Sequence, residues 1–107
     1  GNPMSKKASL DHKQLRAIGH KLKPVVTVAG NGLSDTVLQE ALRALGDHEL
    51  IKVKIAVGDR DTRRAVTEAL CTQTGATLVQ SIGNVVLLLK RARQPDPRLS
   101  NLMRVLD

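Results

Sequence analysis

The segment from residue 25 to residue 57 constrains the fold more than any other part of this chain. A run of β-branched residues, VVTV, ends at a glycine-rich turn, and a helical pattern of apolar residues follows from about 34 to 45. Apolar residues and lysines then alternate from Ile51 to Val57, which is typical of a strand with one apolar face and one basic face. This succession predicts a β-α-β unit, and such a unit implies at least some parallel strand pairing.

A further helix is predicted before this unit, and the sequence also indicates where the helix inside the unit ends. Ser9 is a candidate N-cap for a helix that runs to about His20. Lys23-Pro24 terminates that helix, because the residue before a proline avoids the helical region. Gly46 is the predicted end of the helix that starts near Ser34.

The region after residue 57 predicts a third helix and a hairpin. Asp59 is the predicted N-cap of a helix that ends at Gly75. Residues 77–82 and 85–90 are predicted strands of a tight hairpin around Gly83-Asn84. The fold class is therefore α/β, with a single compact α-β-α-β-α-β-β domain whose four-stranded mixed sheet is packed by helices.

The chain divides into three predicted parts. Residues 1–3 precede the first methionine, and we interpret them as left over from cloning. Residues 4–92 form the predicted domain. Residues 93–107 form a polar tail, in which the stretch from Leu99 to Leu106 either forms a short helix or stays loose.

Composition narrows both the class of protein and the class of partner. With 107 residues, one cysteine and a polar N-terminus without a secretory signal, the chain is expected to be cytoplasmic. The complete absence of Phe, Tyr and Trp predicts an aliphatic core and argues against nucleic-acid platforms that rely on aromatic stacking. The net charge of +7 favours a polyanionic partner, with nucleic acid first.

The candidate ligands and nucleophiles do not combine into a catalytic or metal site. His12, His20 and His48 form no close ligand pair, so surface or capping roles are favoured over a metal site. Cys71 falls inside a predicted helix, far in sequence from any histidine, and is interpreted as a small buried residue. We therefore expect no enzyme, no metal and no cofactor.

The turn Gly30-Asn31-Gly32 admits two interpretations. It either supplies positive φ between a strand and a helix, or it exposes backbone N–H groups beside a helix N-terminus, where phosphate binds well. Leu33, the next residue, either contacts a base or sugar or faces the core.

Basic residues accompany this turn on several predicted elements. Two lysines share one face of the alternating strand, and three arginines share a helix face at spacings of three and four. On one side of the fold they would form a surface that follows a phosphate backbone. The predicted nucleic-acid-binding residues are Gly30, Asn31, Gly32, Lys23, Lys52, Lys54, Arg60, Arg63, Arg64, Lys90 and Arg91.

The stretches HKLKPVVTVAGNGLSDTVLQEAL, DHELIKVKIAVGDRDTRRAV and TGATLVQSIGNVVLLLKR follow one another along the chain. In this combination they resemble the CRM domain (chloroplast RNA splicing and ribosome maturation), more narrowly the stand-alone bacterial YhbY-like proteins, over about residues 9–92. The resemblance implies a core similar to the C-terminal domain of bacterial initiation factor three. It also implies RNA binding by a GxxG loop and no enzymatic activity.

The glycine loop departs from that family pattern at one position. Gly32 matches the second glycine, but the first falls on Ala29. If the first position requires positive φ, alanine there costs roughly 1 kcal/mol or more. Alternatively, Gly30 takes over the role with the loop shifted by one residue.

The leading hypothesis is a monomeric RNA-binding protein. The resemblance implies that it binds rRNA in precursors of the large ribosomal subunit as an assembly factor. The alternative is a protein-protein interaction module, on the ribosome or another complex, that docks through exposed strands or the tail without direct RNA contact. A third class, a small phosphate-ligand binder or enzyme, needs a pocket with titratable groups that the sequence does not offer. We expect neither a membrane partner nor a small-molecule substrate.

Overall fold

The structure, a computed structural model, describes residues 10–30 and 32–106. Helices and strands follow the predicted order α-β-α-β-α-β-β, and a further helix follows in the tail. The elements are α1 (His12–His20), β1 (Pro24–Val28), α2 (Asp35–His48), β2 (Leu50–Ile55), α3 (Arg60–Thr74), β3 (Thr77–Ile82), β4 (Val85–Leu89) and α4 (Asn101–Leu106).

The strands form one four-stranded sheet in the order β1-β2-β4-β3. β1 pairs with β2 in parallel, with Val28 opposite Ile55. β4 is antiparallel to both of its neighbours, β2 and β3. The predicted mixed sheet is confirmed. Because β4 runs against both β2 and β3, the three strands β1, β2 and β3 all point the same way.

One face of the sheet packs against α2 and α3. Ile51, Val53 and Ile55 of β2 are almost fully buried there, together with Leu45 of α2 and Leu70 of α3. Burying such a side chain contributes about 1.5–3 kcal/mol to folding. The main core is therefore aliphatic, as the missing aromatic residues require.

The opposite face is covered over only part of its area, by α1 and α4. Leu50 and Leu87 pack there against α1 and against Leu102 of α4. Because side chains alternate along a strand, the next residues of β2 on this face are Lys52, which is half-buried, and Lys54, which is exposed. The basic strand face predicted from the sequence therefore lies beyond the edge of α1.

Two helix boundaries differ from their predictions. α1 begins after Asp11, whose carboxylate accepts from the Gln14 backbone N–H at 2.8 Å while the Gln14 side chain bonds back to the Asp11 N–H. This capping box fixes the start, so the prediction of Ser9, which lies outside the described residues, was wrong. α2 continues through Gly46 to His48, so the predicted end at Gly46 was also wrong.

Other predicted boundaries are confirmed. Asp59 caps the N-terminus of α3, and Gly75 ends that helix in the left-handed conformation with φ of 78°. The hairpin turns at Gly83, whose φ of 59° is allowed because glycine has no Cβ. These residues were identifiable because their local chemistry alone determines the turn or cap.

Glu49 ends α2 and anchors the tail. It is fully buried, and its φ of 62° reverses the chain into β2. Its carboxylate accepts hydrogen bonds from the Ser100 hydroxyl at 2.6 Å and the Ala92 backbone N–H at 2.7 Å. Asn101 Nδ2 also donates to the Leu50 carbonyl at 2.6 Å. The sequence left open whether residues 99–106 form a short helix or stay loose. The structure has a helix from residue 101, docked on the domain.

Two glycines inside helices are expected to respond to alanine in opposite directions. A Cβ on Gly19 would lie 2.5 Å from Cδ2 of the buried Leu87, so Gly19→Ala should lower the free energy of unfolding by about 1–3 kcal/mol. A Cβ on Gly46 would meet nothing within 4 Å, so Gly46→Ala should raise it by about 0.5–1 kcal/mol. Chemical denaturation measures both, and a fully stable Gly19→Ala would contradict the close packing of α1 on β4.

Candidate nucleic-acid interface

Three connections lie together where β1, β2 and β3 end. The Ala56 N–H donates to the Val28 carbonyl at 2.8 Å, which joins the end of β2 to the end of β1. The Ile55 N–H donates to the Asn84 carbonyl at 2.6 Å, which joins the same point to the hairpin turn. We call this side of the molecule the loop edge. It comprises the glycine loop (residues 29, 30, 32 and 33), the turn at residues 56–59 with the first turn of α3, and the hairpin turn at residues 83–84.

The glycine loop is a tight turn with an open backbone. The Gly32 N–H donates to the Ala29 carbonyl at 2.8 Å, and Gly32 has φ of 79°. Ala29 and Gly30 do not have positive φ, so alanine at the first family position carries none of the strain that positive φ would impose. A Cβ on Gly30 or Gly32 would meet no atom within 4 Å. Asn31, the remaining predicted loop residue, lies outside the described residues.

The start of α2 is partly occupied by its own side chains. The Ser34 hydroxyl accepts from the Val37 N–H at 3.2 Å, and Asp35 places a carboxylate in the first turn. An anion at this edge therefore gains less from this helix end than it would from one without a cap or a carboxylate. Leu33 is half-buried and packs against the main core, so the core-facing alternative is the one found.

The three predicted arginines line one side of a groove at the start of α3. Arg63 is half-buried, and its Nη1 donates to the Gly58 carbonyl at 3.2 Å, which holds the guanidinium against the turn. Arg60 and Arg64 are exposed, and among the described residues neither takes part in an ion pair. Their charge is therefore available to a ligand at the loop edge.

Lys52 and Lys54 lie on the uncovered part of the sheet, beside a second, smaller groove. Lys52 lines that groove with Gln80 and His20. Ile82 also lines it and is 66% exposed, so apolar surface interrupts the basic face. Lys54 pairs in register with Val85, next to the hairpin turn, and so adjoins the loop edge.

The remaining predicted residues lie at the other end of the sheet. Lys23 precedes β1, and Lys90 and Arg91 follow β4. A Cβ built on Gly75, at the C-terminal end of α3, would lie 3.7 Å from Lys90 Nζ. With a rise of about 3.3 Å per residue, the length of β2 separates this end from the loop edge by roughly 17 Å. The structure therefore divides the predicted set into two groups.

Sequence reasoning missed part of the loop edge. Ser81, Gly83 and Asn84 were considered only as hairpin residues, yet they line the same groove as the α3 arginines. Their placement depends on β4 inserting between β2 and β3. The only signal in the sequence was the predicted hairpin, because its turn must lie at one end of the sheet.

The start of α3 makes folding depend on pH under acidic conditions. The Thr62 backbone N–H donates to the Asp59 carboxylate at 2.8 Å, and this bond, aided by the charge of Arg63, holds the pKa of Asp59 below its ordinary 3.8. Because the pKa is lower in the folded state, this stabilisation is complete above 3.8 and is lost as the pH falls through the folded value. We expect Asp59→Asn, which keeps a capping oxygen, to unfold at lower denaturant than the parent at neutral pH. The two midpoints should converge on acidification, and a constant gap would contradict a charge effect.

Cys71 lies within α3, as predicted, but it is half-buried and not fully buried. Burial raises the pKa of its thiol, so less of it is the reactive thiolate at neutral pH. Within residues 10–30 and 32–106, no group of three His, Cys, Asp or Glu side chains is arranged to hold a metal ion. No helix in that same part of the chain is long and apolar enough to cross a membrane.

Fold and site together define a small α/β domain that presents a glycine loop, arginines and a hairpin turn along one edge of a mixed sheet. The chain belongs to the CRS1/YhbY (CRM) domain family, whose model matches residues 9–90. The resemblance noted in the sequence is thereby confirmed.

Similar proteins extend over most of the chain. A protein of Pseudomonas aeruginosa named "Probable RNA-binding protein" is 53% identical over 92 residues, which cover 86% of this chain and 88% of that protein. An "RNA-binding protein" of Haemophilus influenzae is 42% identical over 80 residues, covering 75% and 81%. The solution structure of a hypothetical Staphylococcus aureus protein, described as an RNA-binding candidate, matches with a TM-score of 0.67 at 25% identity, covering 78% of this chain and 86% of that one.

Proposed function

We propose that this protein binds RNA through the loop edge. The observation that carries the proposal is the convergence of the open glycine loop, the arginines at the start of α3 and the hairpin turn, with Lys54 beside them. These groups are suited to phosphate, because backbone N–H groups and guanidinium groups both donate to its oxygens. Similar proteins in two bacteria are named as RNA-binding proteins, which supports the same conclusion.

The mechanism is binding without chemistry. The glycine loop holds one phosphate through the Gly30 N–H, since the Gly32 N–H already donates to the Ala29 carbonyl. Lys54, Arg60 and Arg64 neutralise neighbouring phosphates and release their counterions. Since the chain has no aromatic residues, recognition relies on the shape and backbone of the RNA more than on base sequence. Lys23, Lys90 and Arg91 lie outside this surface and contribute mainly through long-range attraction.

The glycine loop can be tested with a pair of substitutions of the same shape. Gly32→Asp adds a carboxylate where a phosphate would lie, whereas Gly32→Asn places a neutral side chain at the same positive φ. We expect the aspartate to weaken binding to rRNA fragments at least tenfold more than the asparagine, measured by filter binding. Equal affinities for the two variants would show that the loop is only a turn.

The cellular target we propose is rRNA in precursors of the large ribosomal subunit, with the protein acting in the cytoplasm as a monomeric assembly factor. The resemblance to stand-alone YhbY-like proteins supports this target. Sedimentation of a cell extract, followed by detection of the protein across the gradient, provides the test. We expect the protein with immature large-subunit particles, and equal amounts on mature and immature subunits would contradict an assembly role.

The alternative is a protein-interaction module that docks through exposed strands or the tail, and docking through the tail has less support. Ser100 and Leu102 are fully buried against the domain itself, and His48 Nδ1 lies 2.8 Å from the Leu99 carbonyl oxygen. A tail packed in this way would have to detach before it could bind a partner.

A further inference from the structure

The groove between α3 and the β3–β4 hairpin is larger than phosphate binding alone requires. Its volume is about 650 Å³, which is within the usual range for sites that enclose a small organic ligand. The floor is formed by the buried Ile55, Val86 and Thr67. It is largely apolar, because the Thr67 hydroxyl donates to the Arg63 carbonyl at 2.8 Å. The hairpin side contributes Leu78, which is 41% exposed, and the polar residues Ser81 and Asn84.

Charge is distributed unevenly along the α3 side of the groove. Arg60, Arg63 and Arg64 lie at the start of the helix, beside the loop edge, and Glu68 lines the groove one turn further along. Among the described residues, Glu68 forms no ion pair with Arg64. A phosphate backbone running the length of the groove would therefore meet a carboxylate, whereas one phosphate at the arginine end would not.

We propose that this groove holds one unpaired nucleotide of a single-stranded RNA segment, with its base stacked on a guanidinium plane of Arg60 or Arg64. This inference rests on the proposed RNA-binding function and names the part of the RNA that the groove binds. Where aromatic rings are absent, an arginine guanidinium is the side-chain plane on which an unstacked base packs. The apolar floor accepts the rest of the base or the ribose, and Ser81 and Asn84 lie within the groove to hydrogen bond with polar edges.

The expected preference is for unpaired over paired RNA, without strong base selectivity. A base in a duplex is already stacked and cannot enter the groove, so duplex RNA contacts only the outer cations. Because every base presents a π face, stacking on arginine tolerates all four bases.

The test separates stacking from charge by exchanging arginine for lysine. The double variant Arg60→Lys/Arg64→Lys keeps both charges but loses the planar groups. A matched control, Arg16→Lys/Arg93→Lys, makes the same exchange at two exposed arginines that do not line the groove. The probes are a fluorescent oligouridine RNA and a fully paired RNA hairpin stem, with fluorescence anisotropy as the measurement and circular dichroism to verify folding.

We expect the double variant to bind oligouridine about tenfold more weakly than the parent, as loss of one stacked base implies. Its affinity for the paired stem and the salt dependence of binding should not change. Unchanged oligouridine binding, or an equal loss with both probes, would overturn the nucleotide site while leaving RNA binding intact. A parent protein that binds neither probe at low salt would overturn the proposed function itself.

Discussion

Alanine in place of Lys54, Arg60 and Arg64 is expected to weaken RNA binding roughly a hundredfold at about 0.1 M salt. Each phosphate contact that is lost removes the release of bound counterions, which lowers the slope of log affinity against log salt by about 0.7–0.9. The slope of the triple variant should therefore fall by roughly two to three. These side chains are largely exposed, and such substitutions usually change stability by no more than about 0.5 kcal/mol.

The far end of the sheet offers a matched control for this experiment. The variant with Lys23, Lys90 and Arg93 replaced by alanine removes the same number of positive charges from exposed positions. We expect it to lower affinity only a few-fold, through long-range attraction that salt screens. If both triple variants lose the same affinity and the same slope, net charge and not the loop edge governs binding.

Replacement of Glu49 by alanine is expected to produce the largest loss of stability among single substitutions at polar residues. The substitution removes the acceptor for the Ser100 hydroxyl and the Ala92 N–H, and each buried group left unsatisfied costs about 1–3 kcal/mol. Alanine would also keep the positive φ at this position without the side-chain bonds that hold it there. We expect the free energy of unfolding to fall by about 2–4 kcal/mol in urea denaturation.

The same substitution should release the tail before the domain unfolds. Limited proteolysis is expected to cleave the Glu49→Ala variant between residues 92 and 100 much faster than the parent. Glu40→Ala, on the exposed side of α2, serves as the control and should match the parent in both measurements. Normal stability with a protected tail in the Glu49→Ala variant would contradict the role assigned to this carboxylate.

Elements with a local chemical signature could be predicted from the sequence. The alternation along β2 showed which side chains share a face, and Asp59 and Gly75 marked the ends of α3. Each of these predictions depends only on residues that are close together in the sequence. The predictions needed no knowledge of how the elements pack.

The end of α2 could not be predicted in the same way. Gly46 is tolerated within the helix at a cost of about 1 kcal/mol. Glu49 ends the helix instead, and its carboxylate is held there by residues some 43 to 51 positions further along the chain. A glutamate beside a strand gave no local sign that it would be fully buried.

The candidate site was predictable in its parts and not in its arrangement. The sequence identified the glycine loop, the strand lysines and the α3 arginines as separate features. The strand order together with the pairing directions brings the hairpin turn beside Lys54 and the loops, and leaves Lys23 and Lys90 at the other end. That order is fixed by long-range pairing, which periodicity along one chain does not reveal.

The most direct test of RNA binding at the loop edge is a map of the contact surface on the unmodified protein. Isotope-labelled protein would be titrated with an rRNA fragment, and the change in each backbone amide NMR signal recorded. We expect the largest changes at Gly30, Gly32, Arg60 and Asn84, with little change in residues 90–100. Changes concentrated near Lys23, Lys90 and the tail, with the glycine loop unaffected, would contradict RNA binding at the loop edge.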